Sequence, residues 1–319
     1  MKYQQKWLTL FTVLLLLALS VAACAPQATE ETGEQMTEAE PQNEITILRV
    51  GTGDSGEGLN THQEIIARFE AENPDILVQL EAVAGNDYYT RLLTQVGAGA
   101  APDIMQIGDD AVPMFVDAGA LISLEPYLAE DADFDPDMYM PGLLEPGRYQ
   151  DELYMLPKDF SSMGVYYNKT IFDEYGIDYP TDDWTWDEFL STAQELTKDT
   201  DGDGVTDLYG VQLTATWTTG FEYFIFANGG RLISEDGTQY VGYLDSEESI
   251  GAVQFFSDLY NVYKVAPPAA DFNMWAGGNT EFDNGQAAMR LFGRWPQESY
   301  LSNPNVELGT VQPPAGTEQ

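Results

Sequence analysis

The chain has one cysteine, Cys24, and one histidine, His62, and only 13 Lys plus Arg stand against 53 Asp plus Glu in 319 residues. A lone cysteine excludes an internal disulfide framework. A lone histidine leaves Ser-His or metallohydrolase chemistry dependent on His62, which stands in the helix-capping sequence Thr61-His62-Gln63-Glu64 and reads as a surface residue. The formal charge of −40 repels phosphate backbones and anionic headgroups, so no nucleic-acid partner is expected. Such an acid excess reads as a solubilising surface. A bilayer-spanning run is also missing from the N-terminus, where the apolar stretch from Trp7 to Leu19 is too short to cross.

That stretch, with Lys2 and Lys6 before it and Val21-Ala22-Ala23-Cys24 after it, has the plan of an export signal over residues 1–24. Residues 25–44 hold Glu30, Glu31, Glu34, Glu38, Glu40 and Glu44 with Pro26 and Pro41 but no Lys or Arg, the composition of a flexible acidic leash. Beyond it, 44% hydrophobic content over this length supports a sizeable core in roughly two domains.

From Glu44 the pattern is regular. Ile45 to Val50 is β-branched and predicts a strand, Thr61-His62-Gln63-Glu64 predicts a capped helix start, and Ile76 to Val83 predicts the next strand. Tyr89, Leu92, Leu93 and Val96 fall on one face of a second helix, and Pro102-Asp103-Ile104-Met105 opens a third strand. Strands alternating with helices imply a mainly parallel sheet covered on both faces. A second such series begins after Asn168-Lys169, which makes Leu156 to Lys169 a crossover between two lobes. In that series Thr185 and Glu188 form a capping box, Trp184 is placed to staple Phe189, and Asp245-Ser246 starts a helix whose Ala252, Phe256, Leu259 and Tyr263 share a face.

Two loops carry chemistry. Gly51-Thr52-Gly53-Asp54-Ser55-Gly56 matches G-x-G-x-x-G, but export and a helix onset delayed to Thr61 argue against a dinucleotide; small residues that let a ligand approach the sheet's C-terminal edge are the better reading. Asp199, Asp201, Asp203, the Val205 carbonyl and Asp207 reproduce the first nine positions of an EF-hand-type calcium loop, with Gly202 at the sharp turn. Position twelve is Gly210, so one ligand is lacking. The structural Ca²⁺ expected here would bind weakly, and the alternative is an empty Asx-turn loop. No catalytic cofactor is expected.

The crossover string Val165-Tyr166-Tyr167-Asn168-Lys169, followed by Ile171-Phe172 and Gly176-Ile177, resembles the signature of the family 1 extracellular solute-binding proteins, the receptor lipoproteins that deliver sugars to ABC importers. Thr185-Trp186-Asp187-Glu188-Phe189, Ala227-Asn228-Gly229-Gly230 and the run from Phe282 to Trp295, with Gly293-Arg294-Trp295, resemble the same family. The resemblance implies a type II periplasmic-binding-protein-like fold, two lobes joined by a hinge, each a mainly parallel α/β sheet flanked by helices, with lobe I at 45–158 and 306–319 and lobe II at 159–305. It implies a monomeric receptor, not an enzyme, that binds a carbohydrate between the lobes and engages permease subunits. Cys24, in a lipobox-like context, would carry a lipid anchoring the exported protein to the outer face of the plasma membrane. Ligand contacts implied are Asp54, Ser55, Asp109 and Asp110 from the first lobe, Ser161 from the crossover, and Trp217, Glu222, Tyr223, Trp275, Arg294 and Trp295 from the second. Trp295 ranks first, because the indole of the family's Gly-x-Trp stacks on a sugar ring in many members. The family's usual aromatic after Pro-Asp-Ile is replaced here by Gln106-Ile107-Gly108. Members usually continue for roughly a hundred residues past the return crossover at Pro313-Pro314, so the sequence reads as a fragment whose first lobe is poorly covered. A secreted glycosidase, using a carboxylate pair, and a receptor for a peptide or polyamine are the alternatives.

Overall fold

The β-branched run at the start of the regular region forms β1 (Thr46–Thr52), followed by α1 (Glu57–Glu72), β2 (Ile76–Ala82), α2 (Asp87–Gly97) and a short β3 (Ile104–Met105). The computed structural model describes residues 45–84, 87–215, 218–235, 237–268 and 280–316. Both partners of β1 run parallel to it, in the order β2-β1-β3. Two short helices, α3 (Val112–Asp117) and α4 (Glu125–Glu130), and a hairpin of β4 (Arg148–Tyr149) and β5 (Glu152–Leu153) complete this lobe.

Its core is small. Tyr88, Leu92, Ala111 and Phe115 form the buried cluster, whereas Ile47 is 55% exposed and Leu77 49% exposed. Coverage of both sheet faces, expected from the alternation of strands and helices, is therefore only partial among the described residues. On α2 the buried side chains are Tyr88 and Leu92, while Leu93, expected on the inner face, is exposed.

The second lobe opens with β6 (Met163–Asn168) and α5 (Lys169–Tyr175). Asn168 caps α5 by accepting from the Thr170 N–H, and Gly176 ends it in the left-handed conformation at φ 66°. The helix α6 (Trp186–Leu196) starts on the expected capping box, with Thr185 and Glu188 each satisfying the other's backbone N–H. Trp184 packs edge-on against Phe189, ring centroids 5.4 Å apart. There follow β7 (Tyr209–Gln212), α7 (Thr218–Ala227), α8 (Glu247–Asn261), β8 (Ala287–Gly293), α9 (Gln297–Leu301) and β9 (Leu308–Val311). Phe172, Phe189, Phe224 and Leu259 lie fully buried in one continuous core, each contributing about 1.5–3 kcal/mol of burial. Tyr263, expected on the inner face with Leu259, falls past the end of α8 and is 39% exposed.

The second sheet has the order β7-β8-β6-β9. β7 and β8 are parallel, but β6 runs antiparallel to both of its neighbours. The mainly parallel character expected of each lobe thus describes the first sheet, and the second is mixed. β8 runs buried along its whole length up to Gly293. Residues 306–316, expected with the first lobe, belong to the second: β9 pairs with β6, the Trp184 indole donates to the Gln312 carbonyl at 2.8 Å, and the Tyr223 hydroxyl donates to the Pro314 carbonyl at 2.8 Å.

Candidate functional site

The first loop is shaped by a glycine. Gly56, at φ 56°, turns the chain directly into α1, and the N–H groups of Leu59 and Asn60 donate to its carbonyl. The helix therefore begins at Glu57, one turn before the expected capping box, and Thr61 lies inside it. This overturns the delayed helix onset weighed against a dinucleotide site. Gly51 serves packing instead: a Cβ there would meet Pro102 at 3.1 Å and the Tyr88 hydroxyl at 3.2 Å.

The earlier start turns His62 back toward the end of β1. Its Nε2 donates to Asp54 Oδ2 at 2.8 Å and lies 3.3 Å from Thr52 Oγ1. Gln106 Nε2 donates to Asp54 Oδ1 at 3.2 Å, and the Thr52 hydroxyl donates to Gln106 Oε1. Lys158, from the crossover, donates to Asp54 Oδ2 at 2.8 Å and lies 3.2 Å from Asp159 Oδ2. His62, expected as a plain surface residue, is instead part of this half-buried network. Burial pushes the Asp54 carboxyl up, but hydrogen bonds from Lys158 and Gln106, the Lys158 charge and the bond from His62 outweigh it and hold the group below the usual carboxylate range. Burial likewise opposes the charge on Lys158, yet Asp54 and Asp159 raise its pKa above the ordinary lysine value.

Of this network, Asp54, Gln106, Lys158 and Asp159 form one wall of a cleft of about 550 Å³. Of the expected contacts, Asp54, Ser55, Ser161, Arg294 and Trp295 line it. Gln106, Lys158, Phe160, Gln297 and Glu298 also line it, although sequence reasoning had not selected them. Ser161 Oγ accepts from the Arg294 backbone N–H at 2.7 Å, tying the crossover to the loop that carries Trp295. The Trp295 indole folds back over the end of β8, where a Cβ on Gly293 would lie 1.7 Å from its ring. It also packs against Phe292, ring centroids 4.7 Å apart. Trp295 remains 45% exposed and Phe160 58% exposed, both at the cleft.

Other expected contacts lie elsewhere. Asp109 and Asp110 are exposed on a one-turn 3₁₀ helix, outside the cleft lining. The Asp109 charge nonetheless reaches Glu222, whose carboxyl is pushed up first by burial and then by that charge. Tyr223 is packed against the second-lobe core with its hydroxyl committed to Pro314. Trp217, Trp275 and Cys24 lie outside the described residues. A larger space of about 710 Å³, lined by Phe221, Val253, Phe256 and Tyr260, belongs to the second lobe alone.

In the acidic loop, single carboxylate oxygens of Asp199, Asp201 and Asp207 lie within 4.8 Å of one another. Asp199 accepts from Gly202 and Gly204 N–H, and Asp207 from Thr200. Asp203 stands apart from that trio and accepts from the Val205 N–H. Gly210, at the twelfth position, is pressed against α6, where a Cβ would lie 2.0 Å from the Ala193 carbonyl, so no acid fits there.

An α/β fold of two lobes with an aromatic-bearing cleft at the crossover is the architecture of the two-lobed solute-binding proteins. Residues 52–318 match the family model described as bacterial extracellular solute-binding protein. A binding protein of Brucella abortus is 26% identical over 261 residues, covering 80% of this chain and 59% of its own. The maltotriose-binding protein of Pyrococcus abyssi is 25% identical over 259 residues, covering 80% and 51%. Among solved structures, an ABC substrate-binding protein of Listeria monocytogenes in complex with cycloalternan superimposes with a TM-score of 0.75 at 29% identity, over 86% of this chain and 68% of that one. The chain spans little more than half the length of these curated relatives. It belongs to the bacterial extracellular solute-binding protein family.

Proposed function

We infer that the chain is the extracytoplasmic receptor of an ABC importer, binding a carbohydrate in the cleft between residues 45–158 and the second lobe and presenting it to permease subunits. The observation that carries this reading is Trp295: a large indole, held over Gly293 and 45% exposed, at a cleft whose other lining residues are mostly polar or charged in type. A sugar ring has C–H-rich faces that an indole covers and a rim of hydroxyls that polar walls satisfy. The relatives named for maltotriose and crystallised with cycloalternan support an oligosaccharide. Cys24 serves as the lipid attachment point at the outer face of the plasma membrane, and residues 25–44 as its tether. The protein works as a monomer and turns nothing over. The loop from Asp199 to Asp207 holds a structural calcium ion, with Asp199, Asp201 and Asp207 as the core of the set.

A thermal-shift panel of oligosaccharides, polyols, polyamines and peptides tests the reading, since a ligand that binds only the folded state raises its melting temperature. A shift with maltotriose or cycloalternan is expected. A shift confined to polyamines or peptides, or turnover of a chromogenic glycoside, would contradict it.

A further inference from the structure

At the first-lobe wall of the cleft the carboxylate lies underneath and the ammonium on top. The Asp54 side chain is 16% exposed and the Lys158 side chain 43% exposed. A carboxylate has about four acceptor sites; on Asp54, His62 and Lys158 share Oδ2 and Gln106 takes Oδ1. An ammonium has three donors and no acceptor; on Lys158 one faces Asp54 and one faces Asp159. The third is the donor left for a ligand, and Phe160, two residues along, lines the same cleft with an exposed ring. Gln106 is similarly occupied with Thr52 and Asp54.

We propose that Lys158 is a ligand-binding residue that donates a hydrogen bond to an oxygen on the rim of the bound carbohydrate, and that Asp54, rather than touching the ligand, is the positioning residue that holds Lys158 in place. The proposal rests on the carbohydrate reading of the cleft. Two structural consequences follow. The first wall presents a cationic donor in a chain otherwise dominated by acids, so it selects for acceptor oxygens, hydroxyl or ring. The crossover is also tied to the first loop by an ion pair that the ligand adds to without breaking.

The test uses the full chain with maltotriose and cycloalternan as probes. Lysines are acetylated with an N-hydroxysuccinimide ester and read by peptide mass spectrometry, alongside titration calorimetry. Saturating sugar is expected to slow acetylation of Lys158 several-fold while leaving the other lysines unchanged. Lys158→Met is expected to weaken binding roughly tenfold to a hundredfold, the range for a hydrogen bond to a charged group, and Lys158→Arg to restore part of it. Without sugar, Asp54→Asn should speed acetylation of Lys158; with sugar, Asp54→Asn combined with Lys158→Met should bind no worse than Lys158→Met alone. Undiminished binding by Lys158→Met, or sugar binding that leaves Lys158 unprotected, would overturn the donor role. Unchanged acetylation in Asp54→Asn would overturn the positioning role. If neither sugar binds the wild type, the carbohydrate reading falls and takes the donor role with it, while the acetylation of Asp54→Asn still decides the ion pair separately.

Discussion

Gly293 and Trp295 act as a pair, because the indole occupies the space that any larger residue at 293 would need. That pairing was legible in the sequence as Gly-x-Trp, since two neighbouring residues carry it. Lys158 was not, because its partner Asp54 is 104 residues away and no local pattern sets the register between lobes. His62 was misread for a related reason: its partners depend on where α1 begins, and a positive-φ glycine decided that. At the same scale, Glu222 has a folded-state pKa raised by burial and by Asp109. Whatever Glu222 contributes to stability is fully present below the ordinary carboxylate range and is lost as the pH rises through the raised folded value. Glu222→Gln should therefore raise the melting temperature at pH 8 and leave it close to wild type at pH 3. Equal melting curves at both pH values would show that Glu222 is solvated like a free acid.

At the scale of elements, the acidic loop connects α6 to β7, and its three converging carboxylates repel one another without a cation. Calcium is expected to bind on the order of 10⁻⁴ to 10⁻³ M, as in extracellular modules. Chelation should lower the melting temperature, whereas the response to sugar should survive. No heat of binding at millimolar calcium would leave the loop a turn held by its own Asx bonds. Helices with strong local signals, α6 with its capping box and α8 with Ser246, began where the sequence placed them. Strand partners were less legible. Periodicity carries no strand direction, so neither the antiparallel setting of β6 nor the placement of 306–316 in the second lobe could be read from it.

For the whole molecule, the two-lobed architecture was legible because a crossover and repeated strand-helix alternation leave few alternatives. The tether belongs to this scale as well. Cys24→Ser should move the protein from the membrane fraction to the soluble one and abolish a lipid mass increment at that residue; membrane association unchanged by the substitution would contradict lipidation.

The central claim, a carbohydrate stacked on Trp295 in the cleft, is tested most directly by titration calorimetry of wild type and Trp295→Ala with maltotriose and cycloalternan. Losing the burial of one large aromatic side chain costs about 1.5–3 kcal/mol, so the dissociation constant should rise about tenfold to a few hundredfold, with the unliganded melting temperature little changed because the indole is already 45% exposed. Undiminished sugar affinity in Trp295→Ala, or a variant that unfolds, would contradict the account.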